Sequence, residues 1–335
     1  MASCRGVTKF LNDPSKAVIE GLRGLARCHA DLIELSEEPR FVARRNRVPG
    51  KVAIISGGGS GHEPLHAGFV GRGMLDAAVP GEIFSSPSVE QILAAAEAVG
   101  DDAGLLCLIK NYSGDIMNFE LAMEMFGRRN ASVIVEDDIG AAGGGETVGR
   151  RGVAGTLVVE KIAGAAAERM ARLEQCADLA REVGDATRTM GVALGACRVP
   201  TAEKPNLDLT PGEMEIGIGI HGEPGRRRAP IAPADDIVEE LVYALLSDLE
   251  PRPGEPLLLF VNGLGGTPSM ELHLLYRAAV RMLEGRGLIV ARSLVGPYVT
   301  SLEMPGASIT LTRMTDRFIE LWDDPVVTPG LRWGA

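Results

Sequence analysis

Residues 52–66 read VAIISGGGSGHEPLH, and the fold turns on how this stretch divides. The apolar run at 52–56 is too short for a helix and is bounded by glycine. It predicts a buried strand that feeds a Gly-rich loop ending at His62-Glu63-Pro64. Two similar runs follow. GLLCLI (104–109) ends at Lys110-Asn111-Tyr112-Ser113-Gly114-Asp115, and SVIVE (132–136) leads into a segment expected to be flexible, from Asp137-Asp138 through Gly143-Gly144-Gly145. Helical signals lie between these runs. Asp13-Pro14 offers a cap and a first-turn proline for a helix toward Cys28. A second helix starts at Ser86-Pro87 and stops at Gly100, and a third, built from low-volume residues, spans about 152–172. Strands alternating with helices argue for a largely parallel sheet covered on both faces.

The pattern breaks at RVPTAEKPNLDLTPGE (198–213), a Pro-rich polar stretch. Beyond it EMEIGIGIHGEPG (213–225) reads as a strand in which Ile216, Ile218 and Ile220 alternate with Gly217 and Gly219. One face of that strand carries no side chains, so something packs or binds close against it. Helices over 235–249 and 269–285, with strands over 257–262, 287–295 and 307–314, complete a second unit. The expectation is two α/β domains, 1–190 and 191–335, each a mainly parallel or mixed sheet flanked by helices, with the tail packing back.

A chain of 335 residues suits two domains. Forty-two glycines, about one residue in eight against a usual ~7%, must sit at turns and close approaches within folded structure. The net charge of −11 repels phosphate backbones and acidic membranes, so neither nucleic acid nor a membrane is an expected partner. The basic runs at 44–47 and 226–228 are too short to reverse this and read as solvated loops. Five cysteines, at 4, 28, 107, 176 and 197, form no CxxC pair. With no signal-peptide pattern and no apolar run near ~18 residues, the reading is a reduced, cytoplasmic protein.

Three glycine clusters fail as nucleotide sites. GGGSGHEP lacks the Lys-Ser/Thr of a P-loop and has His62 where a GxGxxG pattern needs glycine. Gly144 and Gly149 have P-loop spacing but are followed by Arg150-Arg151, and GLGGTP (263–268) has Pro268 in place of the last glycine. His62-Glu63-Pro64-Leu65-His66 matches the letters of a zinc-binding HExxH. Pro64 is incompatible with a helix already running through His62, however, so no metal site is expected. What remains is Ser60, His62, Lys110 and Asp115 at the carboxyl ends of strands, where open α/β sheets bind ligands. A histidine there is often structural, and Asp115 can be a general base or a helix cap. His221, surrounded by bare backbone, is accessible enough to act as a nucleophile or base.

The stretches ISGGGSGHEPLHAGFVGRGML, PGEIFSSPS, IKNYSGDIMNFELA, GRRGVAGT, LGACRVP and EMEIGIGIHGEPG resemble the substrate-binding subunit of the dihydroxyacetone kinase family. NGLGGTP, SLEMPGASITL and LWDDPVVTPGLRWG continue the match over essentially the whole chain. The resemblance implies a glycerone kinase subunit of glycerol metabolism in which His221 holds a short ketose, dihydroxyacetone, covalently as a hemiaminal. Gly59, Ser60, Gly61, His62, Lys110 and Asp115 match the family's substrate-binding positions, with His62, Asp115 and His221 in the catalytic roles. It also implies a homodimer that binds no cofactor itself. ATP or ADP with Mg²⁺ would sit on a separate nucleotide-binding (L-type) subunit, recharged in some members by a phosphotransferase-system protein. Alternatives within the family are a non-catalytic ketose sensor or coactivator, and a kinase subunit for another ketose such as erythrulose. Ile139-Gly140 with the 143–145 glycines, and Gly263, depart from the family pattern; the first bears on subunit docking, the second on ketose choice.

Overall fold

The computed structural model describes residues 9–141 and 149–334. Its first sheet contains β1 (Ile33–Glu37), β2 (Arg40–Arg44), β3 (Ala53–Ser60), β4 (Ala77–Ile83), β5 (Leu105–Lys110) and β6 (Asn130–Val135). The strand order is β1-β2-β4-β3-β5-β6. The four strands from β4 to β6 are mutually parallel, and the β1–β2 hairpin joins them antiparallel. Three helices belong to this half of the chain: α1 (Ala17–Cys28), α2 (Val89–Val99) and α3 (Ser113–Phe126). Asp13 caps the entry to α1 as expected, its carboxylate accepting from the Ser15 N–H at 3.0 Å. The cap of α2 is Ser88, two residues past the Ser-Pro signal, and it forms a reciprocal capping box with Gln91.

Two helices follow, α4 (Gly155–Glu168) and α5 (Leu173–Asp185), then a second sheet. That sheet comprises β7 (Thr187–Ala193), β8 (Glu213–Ile216), β9 (Arg227–Pro230), β10 (Pro256–Gly263), β11 (Ile289–Gly296) and β12 (Gly306–Arg313). Its order is β11-β10-β12-β7-β8-β9, with only the β10–β11 pair parallel. Helices α6 (Ala234–Leu249) and α7 (Ser269–Gly285) cover its outer face. Since β7 begins at Thr187, the division expected at 190/191 falls inside a strand; the sheets part after α5. Among the described residues no helix is long and apolar enough to cross a membrane.

The core explains the glycine- and alanine-rich composition. Helices α2 and α3 pack on the outer face of the first sheet through Ile92, Ala96, Phe119 and Ala122. The inner faces of both sheets contribute to one continuous cluster, with Ile54, Leu106 and Val133 from the first and Leu258 and Phe260 from the second. Helix α4 lies within it and is buried from Gly155 to Ala167. A helix enclosed on every side needs small residues where backbones meet. At Gly164 an added Cβ would lie 2.5 Å from the Cα of Met74. The closing helix α8 (Asp316–Asp323) also returns to this layer. Phe318, Leu321 and Trp322 join the cluster, and the buried Lys161 of α4 donates to the Leu321 carbonyl at 2.7 Å.

Three expectations need correction. The Gly57–Ser60 segment is not a loop: it continues β3, Gly57 and Gly58 pairing with Val79 and Pro80 of β4. Repeated glycine masks a strand because it lacks the side chains that reveal periodicity. The Ile-Gly-Ile-Gly-Ile strand ends at Ile216, because Gly217 takes a φ of +84° and starts a turn. His221 therefore sits on a loop. Asp137 and Asp138, assigned to a flexible segment, are buried and hydrogen-bonded; the 143–145 glycines lie outside the described residues.

Candidate active site

The carboxyl ends of β3 and β5 and the loop after β8 bring the expected side chains together. His221 is at the centre. Its ring lies 4.8 Å from that of His62, 4.8 Å from Tyr112 and 5.2 Å from Phe84, all edge-on, while His62 stacks on Phe84 at 5.0 Å. The His221 backbone N–H and Nδ1 both meet the Glu223 carboxylate, at 2.9 and 2.8 Å. An ionised carboxylate only accepts, so Nδ1 carries the proton of this bond and Nε2 is the ring nitrogen left outside it. Burial alone would push the Glu223 carboxyl up. The His221 hydrogen bond and the His221 and Arg151 charges outweigh it and hold the group at about 2.

The bare face of the 217–221 segment now has an explanation. A Cβ on Gly217 would strike the Gly140 carbonyl at 2.6 Å, and one on Gly219 would fall 2.1 Å from Glu223 Oε2 and 2.6 Å from Arg151 Nη1. The glycines thus admit the carboxylate that orients His221. Arg151 is itself fixed, donating to Asp138 and to the Gly217 carbonyl at 2.7 and 2.8 Å.

His62 is buried, and its Nδ1 donates to the Thr300 carbonyl at 2.7 Å, which leaves Nε2 as an acceptor with no protein partner. Burial, followed by the His221 and Lys110 charges, holds this imidazole well below its usual range, so it is neutral. The Thr300 N–H returns a bond to the His62 carbonyl at 3.2 Å, tying the end of β3 to the second half of the chain. Asp115 stands in the first turn of α3, buried, with Oδ2 3.5 Å from Lys110 Nζ and Oδ1 without a protein partner. The Tyr112 hydroxyl is a third buried, unpartnered polar atom. Burial, then the Glu223 charge, keeps it a phenol, well above its usual range. Two of these atoms belong to rings packed against His221, and buried polar atoms without partners mark a place for a small polar ligand.

The remaining expected residues lie at and just beyond the end of β3. Ser60 Oγ donates to the Gly81 carbonyl at 2.7 Å, and the Gly61 N–H donates to both Glu63 oxygens at 3.0 and 3.1 Å. Gly59 leaves room for the Phe84–Ser85 backbone, 2.7 Å from where its Cβ would be. Gly58, absent from the expected set, admits Lys110, whose Nζ would lie 2.1 Å from a Cβ there. Both His66 nitrogens have protein partners, Glu160 and Lys110, so the HExxH letters do not form a pair of free imidazoles. Gly263 ends β10 against Leu272 of α7. Phe84, Tyr112, Arg151, Glu160 and Glu223 went unassigned in the sequence. Only Glu223, two residues from His221, and Tyr112, within the Lys110–Asp115 turn, had a signal in their spacing.

The Dak1 domain model matches residues 23–330. The phosphoenolpyruvate-dependent dihydroxyacetone kinase, dihydroxyacetone-binding subunit DhaK, of Escherichia coli is 43% identical, the match covering 97% of this chain and 99% of that protein. The crystal structure of the dihydroxyacetone kinase of C. freundii superposes with a TM-score of 0.87 at 37% identity; the match covers 97% of this chain and 60% of that one. A second structure of that kinase holds AMP-PNP and Mg²⁺. A dihydroxyacetone kinase operon co-activator, Dha-DhaQ, also gives a TM-score of 0.87, at 35% identity over 92% of this chain and 96% of that one.

Proposed function

This chain belongs to the Dak1 domain family, and from that premise we propose that it is the ketose-binding subunit of a dihydroxyacetone kinase. The observation that carries the reading is the Glu223–His221 pair, which fixes the His221 ring through Nδ1 and leaves Nε2 outside that bond, in a site that also holds three unsatisfied polar atoms. Nε2 adds its lone pair to the ketone carbon, and the carbonyl π electrons move to oxygen, which takes up a proton from water. The positive charge left on the ring is held by Glu223, which can accept the Nδ1 proton to leave a neutral hemiaminal. A covalent anchor suits a substrate with few atoms to grip, and it rejects polyols that lack a carbonyl.

With the ketose anchored, Asp115 Oδ1 and His62 Nε2 are the acceptors for its hydroxyl groups. Asp115 takes the proton as the hydroxyl oxygen attacks phosphorus, and Lys110 beside it steadies the carboxylate. Phosphoryl transfer is chiefly positioning and charge stabilisation, so the nucleophile can stand on one subunit and the nucleotide with Mg²⁺ on another. The partner is therefore a nucleotide-binding subunit, with a phosphotransferase-system protein as the donor that recharges it. The acting form is a homodimer, working in the cytoplasm.

Incubation with dihydroxyacetone gives a mass adduct that His221→Ala lacks; an undiminished adduct in that variant rejects the assignment. A second reading, a ketose-responsive coactivator, is favoured by the similarity to Dha-DhaQ. It predicts the adduct without turnover, so phosphorylation in the presence of the nucleotide subunit separates the two.

A further inference from the structure

Two buried ionisable groups that the reaction scheme does not use, Glu160 and His66, lead up to Lys110 and Asp115. Helix α4 is built mostly of Gly, Ala, Val, Leu and Ile, yet it carries Glu160, next to Lys161, with no exposure at all. A carboxyl group in such a layer is unfavourable unless a specific partner offsets its lost hydration. Glu160 Oε1 lies 2.6 Å from His66 Nδ1, and His66 Nε2 lies 2.9 Å from Lys110 Nζ. The row ends at Asp115, 3.5 Å from the same ammonium.

A lysine ammonium has three hydrogens, and Lys110 has three acceptors within reach: the Gly57 carbonyl at 3.0 Å, His66 Nε2 and Asp115 Oδ2. His66 can be one of them only as a neutral ring protonated on Nδ1. Burial, with the Lys110 charge, holds this ring well below its usual range and so neutral. The tautomer then depends on what faces Nδ1. Glu160 faces it, and its Oε1 accepts from Nδ1–H whether or not the other oxygen, which has no partner, carries a proton.

We propose that Glu160 and His66 are positioning residues: Glu160 fixes the Nδ1–H tautomer of His66, which makes His66 Nε2 an acceptor and aims the Lys110 ammonium at Asp115. With the opposite tautomer, Nε2–H would point at the ammonium, and Lys110 would turn from Asp115. The base would then lose its neighbouring cation. This inference rests on the kinase reading above.

The test has two arms. In the intact parent protein, ¹⁵N-resolved NMR of the His66 ring is expected to show Nδ1 protonated and Nε2 carrying the lone pair; a protonated Nε2 overturns the proposal without any variant. In the reconstituted kinase, Glu160→Gln keeps an acceptor facing Nδ1 and is expected to stay close to the parent rate. Glu160→Leu removes the acceptor and is expected to lower kcat about 10-fold or more, the usual range for a lost orienting group, while the dihydroxyacetone adduct still forms. Equal rates for parent and Glu160→Leu, or equal losses in both variants, reject it. A parent that forms no adduct and phosphorylates no ketose rejects the kinase reading instead, so the two failures are distinguishable.

Discussion

His62 and His66 show how residue chemistry is set by packing. Both are buried and neutral, with values well below the usual 6.5, while in the unfolded chain each takes a proton at mildly acidic pH. The unfolded state thus binds more protons below about 6.5, so stability is full above that pH and declines as pH falls beneath it. The expected slope is roughly 1.4 kcal/mol per pH unit for each histidine. Urea unfolding between pH 7 and 5 measures it; His62→Gln should remove one histidine's share, and an unchanged slope would mean that His62 is protonated in the folded protein. Asp115 supplies a second prediction at this scale. Asp115→Asn should retain the ketose adduct, which depends on His221, and lose most phosphorylation with the nucleotide subunit present. Activity at the parent level there would remove Asp115 as the base.

Strand β3 determines how close the two halves of the chemistry come. Its glycines lie in the sheet, and Gly58 stands where Lys110 must pass. Gly58→Ala should displace the Lys110 amine, lowering kcat while sparing the adduct; a crystal structure of the variant with Lys110 unmoved would refute this. The same strand marks the limit of what could be read from the sequence. Elements with clear periodicity or caps, such as α7 over 269–285, were legible to the residue. The strands β1, β2 and β4 and helix α5 had no early signal. β4 (AAVPGEI) contains both Pro80 and Gly81, which by local rules argue against a strand. Of the site, His62, Lys110, Asp115 and His221 were legible because motif position marks a histidine or a carboxylate. Glu160 was not. Its adjacent Lys161 makes the pair read as one polar edge of the helix, and the second sheet and α8, closing over α4, make it a buried group.

At the scale of the molecule, the shared central layer makes the two sheets one cooperative body. Trp322 on α8 is buried in that layer, its ring tilted against that of Trp333 at 5.2 Å, and the Trp333 indole N–H donates to the Trp322 carbonyl at 3.1 Å. Trp322→Ala should cost about 3–5 kcal/mol and still give a single unfolding transition, because α4 touches both halves. Two separated transitions, seen by fluorescence and by circular dichroism in urea, would instead show halves that fold independently.

The enclosure of α4 also governs how this chain can be recombined with its relatives. A crossover placed between the sheets would confront a helix packed on two fronts with one foreign wall, although each half on its own looks like a module. Chimeras that carry α4, α5 and α8 from one parent, and exchange only the outer helices with their surface loops, keep every inward contact of that layer. Grafts of the 217–225 loop would likewise need Arg151 and Gly140 from the same parent, since those residues shape the seat in which Glu223 holds its histidine.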